Sequence, residues 1–427
     1  MLKAGERYTV SIDDINIFGN GVCRIDGMAV FVEGGIVGEK CEIEIMSVRS
    51  KYGYAKAVKI LTPSVYRVES LCPHFGVCGG CAFGNIDIEL ENEIKERYVK
   101  SAFFKQGIKA EFEKIICPVS QKYRNKAVLF CKNGKFGYMK KDTNIPVPHT
   151  ECLLNPDVFE QIVRFTEEKL KRTSVRALYM RKTSHVDPKI MVCVVLYKEQ
   201  DLFSYVSALV NEFPGVATVM YAVNSQKDFA LEGCRFKTLY GEGYITDSLC
   251  GLNFRISAES FYQVNHTCAG LLYEKAISLA NLDSSSTVAD LFCGTGTIGI
   301  ITAHKTGATV YGVEIIEKAV KDAIFNARAN GIVNAHFEAK DASLFNKHTD
   351  TCIIDPPRKG CSSFMIDTIK RLKPKKIVYI SCNADTMVRD IKLLEKEYKI
   401  SHPVSIFNLF PRTSHQEVVA LLTRVEG

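Results

Sequence analysis

The chain has 427 residues, of which 46% are hydrophobic and 24% charged, and its formal net charge is +7. This length allows two or three domains, and this composition excludes a disordered or fibrous chain. The sequence has no apolar run of membrane-spanning length and its start, MLKAGERYTV, has no signal-peptide core, so we expect a cytoplasmic protein. In that compartment its sixteen cysteines are expected to be reduced thiols, metal ligands or nucleophiles.

Residues 1–61 predict a small N-terminal β-barrel. Short β-rich segments alternate there with glycine turns, and regularly spaced short strands are typical of small barrels. The stretch NIFGNGVCRIDGMAVFVEGGIVGEKCEIEI resembles the TRAM domain, an OB-like RNA-binding module. This resemblance implies an RNA-binding barrel at the start of the chain.

Residues 62–250 predict a central α+β domain. A cysteine-bearing loop at 72–81 precedes a helix over IELENEIKERYVKSAFFKQG, and strands and helices follow with a turn at Asn133–Gly134. Basic residues outnumber acidic ones from Lys95 to Lys141, and Tyr123, Phe130, Phe136 and Tyr138 lie among them. Such a mixture suits RNA, and it equally suits a solvated face over core aromatics.

The cysteine loop predicts a metal centre. CPHFGVCGGC places Cys72, Cys78 and Cys81 within ten residues, and Cys152 in VPHTECLLNP is a candidate fourth ligand. Four thiolates suit either zinc or an iron–sulfur cluster, and the spacing leaves that choice open. A complete set of four ligands leaves no open position on the metal, which favours a structural role.

From residue 287 onward, strands and helices alternate, which predicts βαβ units and a largely parallel sheet. VADLFCGTGTIGI has a glycine-rich turn between a strand and a helix, and Glu314 ends the next strand, where it can bind ribose hydroxyls. This pattern alone fits a dinucleotide or S-adenosylmethionine. Asp290 before the loop, Asp341 after a third strand and the Asp355-Pro-Pro turn after a fourth favour S-adenosylmethionine.

Cys382 lies where the apolar strand IVYI ends and a helix begins, so its thiol is expected at the ligand-binding edge of the sheet. We expect the helix N-terminus, capped by Asn383, to lower its pKa. A thiolate that adds to carbon 6 of uracil makes carbon 5 nucleophilic, and a base must then remove the carbon-5 proton. Asp355 can bind the pyrimidine edge, and His415 and Glu417 lie just before the last strand.

Taken together, CPHFGVCGGC, SFYQVN, DLFCGTGTIG, DPPRKG, YISCNADTMVRD and FPRTSHQE resemble the RNA uracil-5 methyltransferases, in particular their iron–sulfur-containing 23S rRNA branch. The resemblance implies a multi-domain α/β protein with an N-terminal OB-like TRAM barrel (1–61), a central α+β domain with the iron–sulfur loop and a basic RNA-binding surface (62–250), and a C-terminal Rossmann-like class I methyltransferase domain (251–427). It implies Cys382 as the nucleophile and Glu417 as the base. It also implies a 4Fe–4S cluster on Cys72, Cys78, Cys81 and Cys152. Around the S-adenosylmethionine it places Gln263, Phe292, Thr297, Glu314, Asp341 and Asp355, with Phe261 stacking on RNA.

The expected product is 5-methyluridine in 23S rRNA, with RNA as the partner, no membrane and no obligate protein partner. The alternatives are the same reaction on tRNA, a noncatalytic RNA-binding protein of the same fold, and a nicotinamide oxidoreductase. Thr297 and Arg412 depart from the family pattern, in which Asn occurs at the first position and His is common at the second. Arg412 therefore puts contacts with RNA in doubt.

Overall fold

Three large β-sheets organise the protein. The structure, a computed structural model, describes residues 2–148, 151–171, 173–225 and 234–425. Within these ranges no helix combines the length and the apolar character that crossing a bilayer requires.

The first sheet contains six strands in the order β1-β5-β6-β4-β3-β2. They are β1 (Arg7–Ser11), β2 (Asp14–Ile15), β3 (Gly21–Ile25), β4 (Met28–Glu33), β5 (Lys40–Val48) and β6 (Tyr52–Thr62). Alternate residues of β5 are buried, which gives this small sheet an apolar face of its own. Asp26 and Gly27 both have positive φ and join β3 to β4 as a two-residue hairpin turn.

Helix α1 (Ile88–Lys105) follows the cysteine loop and confirms the helix predicted there. Asp87 caps its N-terminus by accepting a hydrogen bond from the Leu90 amide. The helix lies against the C-terminal part of the chain, where the Tyr98 hydroxyl donates to Asp385 at 2.6 Å. It thus joins the cysteine loop to the third sheet.

The second sheet has seven strands in the order β13-β12-β11-β10-β7-β8-β9. They are β7 (Lys126–Lys132), β8 (Lys135–Met139), β9 (Pro146–Pro148), β10 (Val175–Lys182), β11 (Ile190–Leu196), β12 (Val216–Val223) and β13 (Lys237–Tyr240). One face packs on α2 (Asp157–Lys169) and α3 (Phe203–Glu212), and the other on the hairpin of β14 (Tyr244–Leu249) and β15 (Leu252–Ser257). The predicted Asn133–Gly134 turn is confirmed between β7 and β8.

The third sheet has eight strands and builds the C-terminal layer. Its order is β18-β17-β16-β19-β20-β23-β21, with β22 also paired to β23. The strands are β16 (Thr287–Leu291), β17 (Thr309–Glu314), β18 (Ala335–Ala339), β19 (Thr351–Ile354), β20 (Lys376–Ser381), β21 (Tyr398–Ile400), β22 (Ser405–Phe407) and β23 (Glu417–Arg424). The helices are α4 (His266–Ala280), α5 (Thr297–Thr306), α6 (Glu317–Ala329), α7 (Ser363–Leu372) and α8 (Ala384–Leu394).

Strands β16 to β20 are parallel, as predicted, whereas β23 runs antiparallel to β20. Apolar side chains cover both faces of this sheet. The chain order reverses between β16 and β19, so the ends of these two strands form the crevice where open α/β sheets bind ligands.

The basic stretch from Lys95 to Lys141 does not form one RNA-facing surface. Lys95 is fully buried in an ion pair with Glu91, and Tyr123 and Phe136 are core residues. By contrast, Lys122 and Lys141 are exposed and pair with nearby carboxylates. Only part of the charge that the sequence places in this stretch therefore reaches solvent.

Candidate active site

Cys382, Glu417 and Asp355 lie at one edge of the third sheet. Ser381 at the end of β20 pairs with Val418 of antiparallel β23. This register places Cys382, one residue beyond Ser381, beside Glu417 at the start of β23. Asp355 directly follows the neighbouring strand β19, whose end also faces this edge. Three residues that are distant in sequence thus form one cluster.

The turn after Cys382 is fixed by Asn383. The Asn383 side chain accepts hydrogen bonds from the backbone amides of Asp385 and Thr386, and so caps α8 as predicted. Its Nδ2 also donates to the backbone oxygen of Arg358 at 3.1 Å. The cap therefore ties the Cys382 turn to the DPPR turn that carries Asp355.

The predicted lowering of the Cys382 pKa is wrong. Burial, together with the nearby carboxyl groups of Glu417 and Asp355, raises the pKa of the thiol to about 11, and Arg358 opposes this rise. The helix N-terminus is present, but burial and the two carboxyl groups outweigh it because all of them disfavour a negatively charged sulfur. Cys382 is therefore a neutral thiol near neutral pH.

Both carboxyl groups of the cluster also hold their protons unusually tightly. Burial raises the pKa of Asp355 to about 7. Burial and the nearby Asp355 raise the pKa of Glu417 well above its ordinary value, while Arg358 lowers it. A carboxyl group with a pKa of about 7, such as that of Asp355, can exchange protons near neutral pH, which suits general acid and base catalysis.

Arg358 contacts His415 across the mouth of the cluster. The Nη2 of Arg358 lies 3.1 Å from Nε2 of His415, and burial together with Arg358 lowers the pKa of that imidazole to about 4. His415 is thus neutral at physiological pH, and its Nε2 accepts a hydrogen bond from the Arg358 guanidinium. The sequence shows both residues, but it does not show that the DPPR and FPRTSHQE segments meet.

The glycine-rich turn after β16, predicted to bind the cofactor, is tightly packed. Gly296 has φ +77°, and a Cβ there would lie 2.9 Å from the Ala323 side chain, so a larger residue does not fit. Phe292 takes the left-handed conformation at the start of the turn, with φ +71°. Thr297 is buried at the first position of α5, beside the Thr295 hydroxyl.

The acidic residues predicted around the cofactor occupy the ends of successive strands. Glu314 ends β17 and accepts hydrogen bonds from the amides of Gly294 and Ile316. Asp341 follows β18, where it caps a short helix by accepting from the amide and hydroxyl of Ser343. Asp290 is buried on β16, and burial raises its pKa to about 8.

The SFYQVN segment contains one buried and one exposed candidate residue. Gln263 is buried, and its backbone oxygen accepts a hydrogen bond from the Asn125 side chain of the central region. Phe261 is 67% exposed two residues earlier. An exposed ring next to a buried site is well placed to stack on an unpaired base.

A cleft of about 420 Å³ lies between the first sheet, the cysteine loop and His415. Its lining includes the rings of Phe18 and Phe75, the basic side chains of Arg124 and Lys141, and the carboxylates of Glu33 and Asp142. Aromatic rings and basic side chains in one groove are suited to single-stranded nucleic acid.

The four predicted metal ligands line one cavity of about 280 Å³. These are Cys72, Cys78, Cys81 and Cys152, and the Arg124 side chain faces the same cavity. Burial raises the pKa of the Cys81 thiol to about 12, and the positive charge of Arg124 opposes that rise. The arrangement agrees with a shared binding site for the four cysteines.

This cavity is not a preformed coordination sphere. Across the described ranges, no three His, Cys, Asp or Glu side chains are grouped closely enough to hold a metal as they stand. The donor set nevertheless suits a soft metal centre, because four thiols line one cavity beside Arg124.

Residues outside the predicted set also support the site. Lys95 and Glu91 on α1 bind the loop between β22 and β23, although sequence periodicity gives no sign that a helix about 300 residues away contacts that loop. Arg412 in this loop has φ +70°. In the sequence, this position is marked only by an Arg where His is common in the family.

Comparisons with known proteins agree with this geometry. The model of the tRNA (uracil-5-)-methyltransferase family matches residues 237–425, and that of the TRAM domain matches residues 2–58. An RNA methyltransferase of Bacillus cereus, described as uncharacterized, is 31% identical across 100% of this chain and 98% of its own. A similarly described RNA methyltransferase of Listeria innocua is 33% identical across 99% of each chain.

A solved structure is similar over nearly the whole length. It is the tRNA (uracil-54, C5)-methyltransferase of Pyrococcus abyssi in complex with S-adenosyl-L-homocysteine. The two chains are 25% identical with a TM-score of 0.80, over 97% of this chain and 100% of the other. The predicted order of an N-terminal TRAM domain and a C-terminal Rossmann-like methyltransferase fold is confirmed by these matches.

Proposed function

Because this chain belongs to the RNA (uracil-5-)-methyltransferase family and is an S-adenosylmethionine-dependent RNA methyltransferase, we propose that it methylates carbon 5 of one uridine in 23S rRNA. The observation that carries this proposal is the pairing of β20 with β23, which puts a thiol and a carboxyl group side by side. Methylation at carbon 5 of uracil requires one nucleophile and one base at the same ring.

The first step activates the ring. The Cys382 thiol releases its proton to solvent, the thiolate adds to carbon 6 of uracil, and the electrons of the carbon 5–carbon 6 double bond move toward oxygen 4. Asp355 steadies that oxygen: with a pKa of about 7 it is protonated in a large share of molecules near neutral pH and can donate a hydrogen bond. The thiol pKa of about 11 means that loss of its proton costs free energy, which Arg358 partly offsets.

The second step transfers the methyl group and releases the enzyme. Carbon 5 attacks the sulfonium methyl, and the cofactor leaves as neutral S-adenosylhomocysteine. The Glu417 carboxylate takes the carbon-5 proton, the double bond re-forms, and the carbon–sulfur bond to Cys382 breaks. The burial of Glu417 suits this role, because a desolvated carboxylate is a stronger base than an exposed one.

In this proposal Gln263, Phe292, Thr297, Glu314, Asp341 and Asp355 surround the cofactor. The carboxylate of Glu314 at the end of β17 suits the ribose hydroxyls. RNA lies across Phe261 and the cleft between the first sheet and His415. Stacking and phosphate contacts there hold the target uridine unpaired and away from its neighbouring bases.

We assign Cys72, Cys78, Cys81 and Cys152 to a 4Fe–4S cluster of structural role. The shared cavity and the Arg124 cation support this assignment, as does the resemblance to the iron–sulfur branch. When bound, such a cluster would cross-link the cysteine loop to the segment before α2. No step of the methyl transfer involves it.

A tRNA uridine is the second candidate substrate. The observation in its favour is the Pyrococcus abyssi structure, whose enzyme is described as acting on uracil 54 of tRNA. The chemistry at Cys382, Asp355 and Glu417 is the same for both substrates. The two candidates differ only in which RNA the cleft and Phe261 receive.

The test of the reaction is a covalent RNA adduct. Purified protein is incubated with RNA from a strain that lacks uracil-5 methylation and with S-adenosylmethionine, and is then analysed on denaturing gels. We expect Glu417→Gln to accumulate a protein–RNA adduct, since the thiolate leaves only after the carbon-5 proton is lost. The same substitution in a Cys382→Ala background should give no adduct.

Cys250→Ala is the matched control, because Cys250 is a partly exposed thiol in the β14–β15 turn. It should methylate RNA at the wild-type rate. Adduct-free product from Glu417→Gln would contradict the assignment of the base, and methylation by Cys382→Ala would contradict that of the nucleophile.

A further inference from the structure

Residues 408–412 are the first part of the connection between β22 and β23, which leads to the strand that begins with Glu417. We call this segment the base loop. Its carbonyl groups from Leu409 to Arg412 and its amides at Asn408 and Arg412 are bound by groups from other elements. The segment is largely buried, so its polar backbone atoms need partners, and side chains from distant elements supply several of them and thereby fix its path.

Four carbonyl groups in succession are held from outside. The Asn265 side chain donates to the oxygen of Leu409 at 3.0 Å, and Lys95 Nζ donates to that of Phe410 at 3.1 Å. The Tyr123 hydroxyl donates to the oxygen of Pro411 at 2.9 Å. The Arg412 oxygen accepts from the amides of Ala82 and Phe83, which directly follow Cys81.

A buried ion pair on α1 holds both ends of the base loop. Lys95 Nζ donates to Glu91 at 2.8 Å and to the Asn408 side chain at 2.7 Å, and all three side chains are inaccessible to solvent. The same Glu91 oxygen accepts from the Arg412 amide at 2.9 Å. Buried pairs of this kind add little net stability but can fix one geometry, because removing either partner leaves a buried charge without compensation.

Arg412 completes the clamp. Its guanidinium donates to the backbone oxygens of Phe83 and Ile86, at 3.2 and 2.7 Å. Its backbone has φ +70°, a conformation that costs a non-glycine residue free energy and that only the surrounding contacts can maintain. Beyond it, Thr413 is hydrogen-bonded to Phe410 and to the amide of His415, so the restraint continues toward the reactive cluster.

We infer that Glu91, Lys95 and Arg412 act as a positioning unit that holds the base loop, and through it the Glu417 carboxylate, at the distance needed to take the carbon-5 proton. This inference rests on the proposed function. A general base acts only within about 2.6–3.2 Å of its proton, and a displacement of 1 Å can lower a rate about 100-fold. Cys382 follows β20 and is not part of the base loop, so we expect the two chemical steps to respond differently to changes in this unit.

Arg412→Gly is the decisive variant. Glycine accepts the left-handed backbone, so the substitution removes the guanidinium contacts and relieves strain. The matched control is Lys373→Gly, because Lys373 also has positive φ (+50°) but lies exposed at the C-terminus of α7, away from the site. Glu91→Gln combined with Lys95→Met is a second variant, which removes both buried charges together.

The readout is single-turnover kinetics with labelled RNA, in which adduct formation and adduct decay are timed separately. For Arg412→Gly we expect adduct formation within about threefold of the wild type, and decay about 10- to 100-fold slower. Lys373→Gly should match the wild type in both phases. The double variant should resemble Arg412→Gly.

Equal slowing of both phases, or decay at the wild-type rate, would overturn the positioning role, since a general loss of structure does not select the second phase. If the double variant does not fold, Arg412→Gly decides alone. Failure of the wild type itself to form adduct or product would refute the proposed function instead.

Discussion

Asp355→Asn should stabilise the protein, and only at high pH. Burial raises the pKa of Asp355 to about 7 from an ordinary value of 3.8. Because the folded-state pKa is the higher one, the ionised carboxylate opposes folding once the pH exceeds the unfolded value. The wild type therefore loses stability progressively between about pH 4 and pH 7, whereas asparagine has no charge to bury.

The magnitude follows from the shift. About three pKa units correspond to about 4 kcal/mol at most, at about 1.4 kcal/mol for each unit. Asp355 remains partly open to solvent, so we expect about half of this, about 2 kcal/mol. For a domain of about 150–250 residues that unfolds cooperatively, this gain corresponds to a rise of about 4–8 °C in Tm at pH 8.

Thermal unfolding measured from pH 4 to pH 8.5 tests this prediction, and Asp350→Asn is the matched control. Its pKa is lowered to about 2 by hydrogen bonds from Lys375 and Thr287, so ionised Asp350 favours folding. Asp350→Asn should therefore lower Tm near neutral pH, opposite to Asp355→Asn. A gain for Asp355→Asn that does not change with pH, or a loss at pH 8, would refute the electrostatic account.

Three further predictions concern the thiols and the base. Cys382→Ala should abolish methylation while RNA binding, measured by filter retention, stays within about threefold of the wild type; loss of binding instead would point to a structural role. The pH dependence of Cys382 alkylation by iodoacetamide, followed by peptide mass spectrometry, should give a thiol pKa near 11. This pKa should fall in Glu417→Gln, because the substitution removes a nearby negative charge. An unchanged or higher pKa in the variant would contradict that cause. Cys78→Ser should lower Tm and RNA affinity more than the single-turnover methylation rate at saturating RNA, and a stable variant with full RNA affinity would argue against a structural cluster.

The sequence predicted the strand ends of the third sheet because buried parallel strands read as continuous apolar runs. TVADL, TCII and KIVYIS all follow this pattern, and the polar residues after them (Asp355 and Cys382) lie at the ligand-binding edge. Asn383 was likewise readable as a helix cap because the signal is local.

Contacts between distant segments were not readable in the same way. Nothing in the residue spacing of α1 shows that Lys95 is bound to Asn408. The sequence therefore assigns Lys95 to a basic surface, although its side chain is buried. The prediction of a lowered Cys382 pKa was wrong for a related reason. The helix N-terminus is a local feature, whereas burial and the carboxyl groups that follow β19 and begin β23 depend on distant parts of the chain.

The most direct test of the proposed function is methylation of total RNA from a strain that lacks uracil-5 methylation. Wild-type protein and labelled S-adenosylmethionine are incubated with that RNA, and the label is mapped by nuclease fragmentation and nucleoside analysis. We expect label on carbon 5 of one uridine of 23S rRNA. Label on a tRNA uridine would contradict the substrate, and label on any atom other than carbon 5 would contradict the mechanism built on Cys382 and Glu417.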